Sequence, residues 1–372
     1  MQVNSKLPPL GMSEKIHKKI AKVSGALLGA VNPERQAKLP REYELSPHVD
    51  YKRYGSTHYG VMIPDLPEPF NYLSWASVIG YVGFPITDMQ YQISPRGKGD
   101  TASLVHGTAL STTQEAYTTY SVQDDIKFTQ NPFSVNFNDQ SILYEDDAKG
   151  YFLVSNREDL QVNIRLQPTK AISWFAYGPF YKHFSVLMRY EGTLTQKDKS
   201  IKVQGLCTLE SWKAVAISMI KNKWLAENVQ LPVKIFSYQV INIDTEQQLL
   251  LAMICYESQP ILTSVYYRNV GGRSIQYNGD IVFEVTKFKD NKEITPDGYA
   301  MQVPDQFKWI AYHDHKKIFE INATVDTPYC FGLAAGYVTS YAWEGEFNDL
   351  KITGRGYMEY IERWIRKFEQ HL

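Results

Sequence analysis

Four glutamates recur in pairs along the chain and could carry proton chemistry. Glu191 and Glu344 each precede a glycine, Gly192 and Gly345. Glu210 and Glu359 each follow a glycine, Gly205 and Gly354, by five residues. A carboxylic acid held in apolar surroundings keeps its proton to a higher pH, which suits donation to an alkene. A structural role competes with this. A group that closes a fold is needed in both copies, whereas a catalytic acid is needed once. Glu210 and Glu359 also stand at the expected starts of two helices, where negative charge gains about 0.3–1 kcal/mol. The repeated glutamates are therefore read first as structural.

Function is expected where the copies differ. Trp174, Phe175, Tyr177, Phe180 and Tyr181 crowd together just ahead of His183. Such a segment can wall the mouth of a barrel and hold a flat or polyene-like ligand, with His183 as acid, base or hydrogen-bond donor. His183 is the catalytic candidate; Tyr341 and Trp343 are expected to contribute from the second copy. The competing reading is an aromatic plug with a surface histidine. His313 and His315, flanking Asp314, have metal-ligand spacing but lack an evident third ligand, so a solvated turn and no metal are expected. Nucleotide, phosphate-loop, zinc-protease and nucleophile-elbow signatures are missing, and no cofactor is expected. The glycine-bearing stretch Ser94–Asp100 reads as a mobile surface loop.

The elements that must position these groups are mostly strands. Residues 1–57 read as an arm with a helix near 12–29 and a proline-containing connector. From Tyr59 onward, short alternating runs separated by turn residues predict antiparallel sheet. Ile235–Ile243 and Leu249–Tyr256 predict a hairpin. Trp212, Val215, Ala216, Met219 and Trp224 fall at spacings of three and four, which predicts a helix over 210–228. Tyr357, Ile361, Trp364, Ile365 and Phe368 predict another at the C-terminus.

An internal repeat organises the whole. Tyr190-Glu191-Gly192 leads into Ile201-Lys202-Val203 and Gly205, as Trp343-Glu344-Gly345 leads into Leu350-Lys351-Ile352 and Gly354. The first hairpin carries four extra residues, expected in its loop. The domains predicted are 1–57, a helical arm and linker; 58–228, a first β domain with trailing helix; and 229–372, a second with a C-terminal helix.

Composition agrees with this and excludes other classes. The 372 residues balance 39 Lys and Arg against 40 Asp and Glu, which argues against nucleic acid as partner. Aromatics make up 13%, favouring sheets and ligand pockets. Three scattered cysteines, Cys207, Cys255 and Cys330, form no disulfide framework, so a reduced, cytoplasmic setting is expected. No stretch is long and apolar enough for a transmembrane helix. Lys15, Lys18, Lys19 and Lys22 make the N-terminal helix basic, which leaves peripheral membrane contact open.

The repeated hairpin and the C-terminal stretch Gly354–Tyr360 resemble the carotenoid hydratase and AttH-like superfamily, including its bacterial branches of unknown function. The resemblance implies an all-β fold of two tandem lipocalin-like antiparallel barrels. It also implies a hydrophobic small-molecule partner, terpenoid or lipid-derived. If the protein is an enzyme, the family suggests hydration, isomerisation or cyclisation without a redox cofactor, as in a hydratase- or isomerase-type lyase. The alternative is a non-catalytic lipid carrier or structural protein.

Overall fold

Two antiparallel sheets divide the chain. The structure, a computed structural model, describes residues 22–364 apart from 24, 27, 47–53, 88–90, 149, 217–218, 220–232, 257–258 and 278. The first sheet opens with β1 (Ser56–Ile63), β2 (Leu73–Gly80), β3 (Thr101–Gly107), β4 (Tyr117–Ser121) and β5 (Ile126–Gln130). It continues with β6 (Phe133–Phe137), β7 (Ser141–Glu145), β8 (Tyr151–Asn156), β9 (Leu160–Tyr177), β10 (Tyr181–Gln196) and β11 (Lys199–Ala214). The second opens with β12 (Val233–Asn242), β13 (Gln247–Tyr256), β14 (Gln259–Asn269), β15 (Ser274–Tyr277) and β16 (Ile281–Phe288). A short pair, β17 (Glu293–Ile294) and β18 (Ala300–Met301), stands apart. The second sheet then runs through β19 (Pro304–His313), β20 (Lys316–Val325), β21 (Cys330–Leu333), β22 (Gly336–Phe347) and β23 (Leu350–Glu362).

The strand orders are β4-β3-β2-β1-β11-β10-β9-β8-β7-β6-β5 and β15-β14-β13-β12-β23-β22-β20-β19-β16. In both, the first strand pairs with the last, β1 with β11 and β12 with β23. The first sheet curls into a near-closed barrel and the second into a half-barrel. Two closed barrels were the expectation; the second is the more open. Among the described residues no helix is long and apolar enough to cross a membrane.

The repeat occupies matching places in the two sheets. Gly192 lies opposite Val203 and Ile164, and Gly345 opposite Ile352 and Ile321. Each permits a close backbone approach. A Cβ on Gly192 would stand 2.1 Å from the Asn163 carbonyl oxygen, and one on Gly345 1.9 Å from that of Glu320. The Tyr190 ring covers Gly205, as the Trp343 ring covers Gly354. Gly192→Ala and Gly345→Ala should each destabilise the fold by about 2 kcal/mol or more, read as the shift in urea midpoint. A negligible change at either would show that the backbone there does not need the approach.

Several expectations are corrected. The four extra residues do not lengthen a loop. Both turns hold two residues with positive φ, Lys197-Asp198 and Asn348-Asp349, and the insertion adds two residues to each strand of the first hairpin. An even increment per strand preserves which face each side chain takes. The helix predicted from Glu210 is strand as far as Ala214, and residues 217–218 and 220–232 lie outside the described residues. The C-terminal helix is likewise strand through Glu362, with 365–372 outside. Glu210 and Glu359 therefore sit within strands, not at helix starts. Most of the predicted N-terminal helix lies outside the described residues. Residue Val31 of the arm joins the first barrel, its amide donating to the Phe175 carbonyl at 3.1 Å. The stretch Ser94–Asp100 is anchored: buried Asp100 accepts from Ser94 Oγ at 2.5 Å and Ser121 Oγ at 2.7 Å.

Candidate functional site

Strand alternation decides where the repeated glutamates point. On β11, Val203, Cys207 and Leu209 fill the first barrel, so Glu210 faces outward. On β23, Met358 and Tyr360 join the second core, while Tyr357 and Glu359 turn away from it. The outward faces meet. Phe175 and Val105 of the first sheet pack there with Tyr238, Tyr266, Leu250 and Tyr357 of the second. Glu210 and Glu359 consequently line one cavity of about 160 Å³ between the barrels. Its walls are apolar, built from residues such as Val78, Phe84, Ile86, Phe236 and Ile254.

Glu210 is 3% exposed and surrounded by imidazoles. His183 Nε2 donates to Glu210 Oε1 at 2.6 Å, and the Tyr181 hydroxyl lies 3.0 Å from His183 Nδ1. His58 Nε2 stands 3.9 Å from the same carboxylate oxygen. His58 Nδ1 is 2.7 Å from the Ser77 carbonyl and must donate to it, which leaves a neutral His58 with a bare Nε2. Its ring stacks on Trp212 at 5.7 Å. Burial lowers the His58 pKa to about 4, against the partial opposition of Glu210. For Glu210 itself, burial opposes the charge, but His183, His58 and the Tyr238 hydroxyl outweigh it and hold the pKa below the usual value. Glu210 Oε2 is left without a hydrogen bond of good geometry among the described residues.

Glu359 has the opposite environment. It accepts from the Tyr357 hydroxyl at 3.0 Å, and that hydroxyl lies 2.9 Å from Ser74 Oγ of the first barrel. Burial and then the charge of Glu210 raise its pKa well above normal, which favours the protonated acid. The register explains the split. His58 faces Trp212 and Gly60 faces Glu210; in the second copy Phe236 faces Ile361 and Tyr238 faces Glu359. Imidazole in one copy is thus replaced by a phenyl ring in the other. Gly60 makes room for the arrangement, since a Cβ there would lie 2.8 Å from His58 Nε2. One repeated residue yields an acid and a base, the separation of pKa values on which proton-transfer sites depend.

The other expected site residues are divided. Alternation splits the aromatic segment, which is a hairpin and not a loop. Tyr181 and His183 face the inter-barrel cavity, with Phe175 packed on His183 at a ring distance of 4.5 Å. Trp174 and Tyr177 line a different cavity of about 320 Å³, shared with Tyr43 and Lys182. Tyr341 and Trp343 lie in the second barrel's core. Glu191 and Glu344 pair with Gln204 and Thr353 in the repeated hairpins, away from the cavity. His313 precedes a two-residue turn, Asp314-His315, that contains His315, and no cluster of three metal-ligating side chains occurs among the described residues. Sequence reasoning missed His58. Its only signal is a polar residue two positions before a glycine in the strand that neighbours Glu210.

Comparison with known proteins agrees with the architecture. The family described as "Family of unknown function (DUF6670)" matches residues 76–371. No curated protein matches. A crystal structure from Nitrosomonas europaea, described as a candidate AttH, aligns over 90% of this chain and 99% of its own, at a TM-score of 0.59 and 14% identity. CghA crystallised with Sch210972 aligns over 83% of this chain and 88% of its own, at 0.46 and 7%. The expected resemblance to AttH-like proteins is met at the level of fold.

Proposed function

The chain belongs to the DUF6670 family of unknown function, and from its site we propose that it binds a hydrophobic small molecule between two lipocalin-like barrels and moves a proton on it. One observation carries the reading: Glu210, whose surroundings favour the carboxylate, and Glu359, whose surroundings favour the acid, stand at matching positions of the repeat and line the same apolar cavity. An apolar wall with a few converging polar groups suits a lipophilic ligand. Glu359 can give its proton to one carbon of a double bond, leaving a carbocation at the other, while Glu210 Oε2 takes a proton from the next carbon along, on the far side of that cation. The double bond shifts, and the two carboxyls exchange roles until solvent restores them. Capture of the cation by water or by a second double bond would instead give hydration or cyclisation. His183 steadies Glu210 and, through Tyr181, offers the proton a route outward.

The test begins with native mass spectrometry and organic extraction of protein purified from its own source. A neutral lipophilic compound near equal stoichiometry is expected. Incubating that compound with the protein in deuterium oxide should then place deuterium on carbon. Binding without deuterium incorporation would make the protein a carrier, and an empty extract with no ligand from an apolar panel quenching tryptophan fluorescence would remove the reading altogether.

A further inference from the structure

Arg268, on β14, has no exposed surface, yet among the described residues none of its hydrogen bonds reaches a carboxylate. Its Nε and Nη2 both donate to Gln248 Oε1, at 3.0 and 2.6 Å. Its Nη1 crosses to the first barrel and donates to Ser185 Oγ at 3.1 Å. A buried cation needs a compensating anion, because its desolvation costs far more than neutral hydrogen bonds return. Ser185 shows where that anion is. It lies directly opposite Glu210 in the β10–β11 register, and its Oγ is 3.5 Å from the hydroxyl of Tyr238, which leans on Glu210.

The geometry points to Arg268 as a positioning residue of the inter-barrel site: a guanidinium from the second barrel that, through Ser185 and Tyr238, keeps Glu210 of the first barrel in its carboxylate form. This rests on Glu210 being the proton acceptor proposed above. The groups facing Glu210 are His183 on β10, His58 on β1, Tyr238 on β12 and Glu359 on β23. Glu359 repels the charge once ionised, and His58 is neutral. Arg268 is the permanent cation of the set. Burial lowers its pKa only to about 10, so it is charged throughout the neutral range. Removing it leaves the buried carboxylate to His183 and the Tyr238 hydroxyl.

The experiment is an infrared titration of the intact protein with isotopically labelled glutamate, Glu210 being assigned by Glu210→Gln. In wild type the Glu210 band should be that of a carboxylate at neutral pH. In Arg268→Met its midpoint should rise by at least one pH unit, a tenfold change in its acid constant, and Arg268→Lys should recover part of the shift. Should Arg268→Met fail to fold, Ser185→Ala decides, since it removes one hydroxyl and should move the midpoint the same way by less. An unmoved midpoint in the folded variants overturns the role of Arg268 and leaves the proposed function intact. A wild-type Glu210 protonated at neutral pH would instead overturn that function.

Discussion

Replacing Glu210 by Gln should lower deuterium incorporation into the bound ligand by about 10²–10⁴-fold, the range expected when a positioned acid–base group is lost. Affinity should change only severalfold. The cavity's apolar walls do not involve Glu210, and Gln fills almost the same volume. The carboxylate cannot be imitated, however. Gln has one acceptor oxygen and an amide that donates, so His183 Nε2 can still find a partner while the second, unpartnered acceptor becomes a donor. Some stability will go too, about 1–3 kcal/mol for a buried bond made worse. Melting curves must therefore accompany the rate measurement. Lost stability with unchanged incorporation would return Glu210 to the fold-closing role that its repetition alone suggests.

That ambiguity shows what a sequence reading could reach. The repeat was legible because glycines at close backbone approaches tolerate no substitute, so Gly192 and Gly345 mark the same place twice. The β12–β13 hairpin was legible from two strand-like runs, Phe236–Asp244 and Leu249–Cys255, flanking the polar loop Thr245–Gln248. Leu206–Ser211 and Gly356–Ile361 were not, because every residue in them is buried. One face of each strand fills its own barrel and the other meets the neighbouring barrel, which erases the period of two. The surviving apolar residues then imitate helical spacing. Missing these strand ends also hid the site, since nothing local says that Glu210 and Glu359 face each other. The histidine and aromatics of β9, β10 and their turn were conspicuous in the sequence, but the hairpin sends Phe180, Tyr181 and His183 to this cavity and Trp174 and Tyr177 to another. His58 was silent: it gains meaning only from the β1–β11 register that sets it beside Glu210.

The stability of the protein should depend on pH in a way that Glu359→Gln removes. The acid is raised in the folded state, so the sign follows directly. Below the ordinary glutamate value of 4.5 it is protonated folded and unfolded, and it adds no penalty. Above 4.5 the unfolded chain gives up this proton while the folded chain holds it, and folding stability falls by about 1.4 kcal/mol per pH unit until the folded group titrates. Gln keeps the shape and can still accept from the Tyr357 hydroxyl, but it has no proton to lose. Urea unfolding of the two proteins at pH 5, 6, 7 and 8 should thus give a difference that grows in favour of the variant, by about 1.4 kcal/mol per unit until the folded acid titrates. Other titrations cancel in that difference. His58, neutral when folded with a pKa near 4, works in the opposite direction between pH 4 and 6.5, and it does so in both proteins. Glu210, lowered in the folded state, stabilises above its unfolded value and loses that contribution only as acid is added. Parallel curves would mean that Glu359 ionises as readily folded as unfolded, and the cavity would then hold two bases and no acid. A growing gap would mean that the fold bears a stability penalty at this position, which is the expected mark of a proton held ready for a ligand.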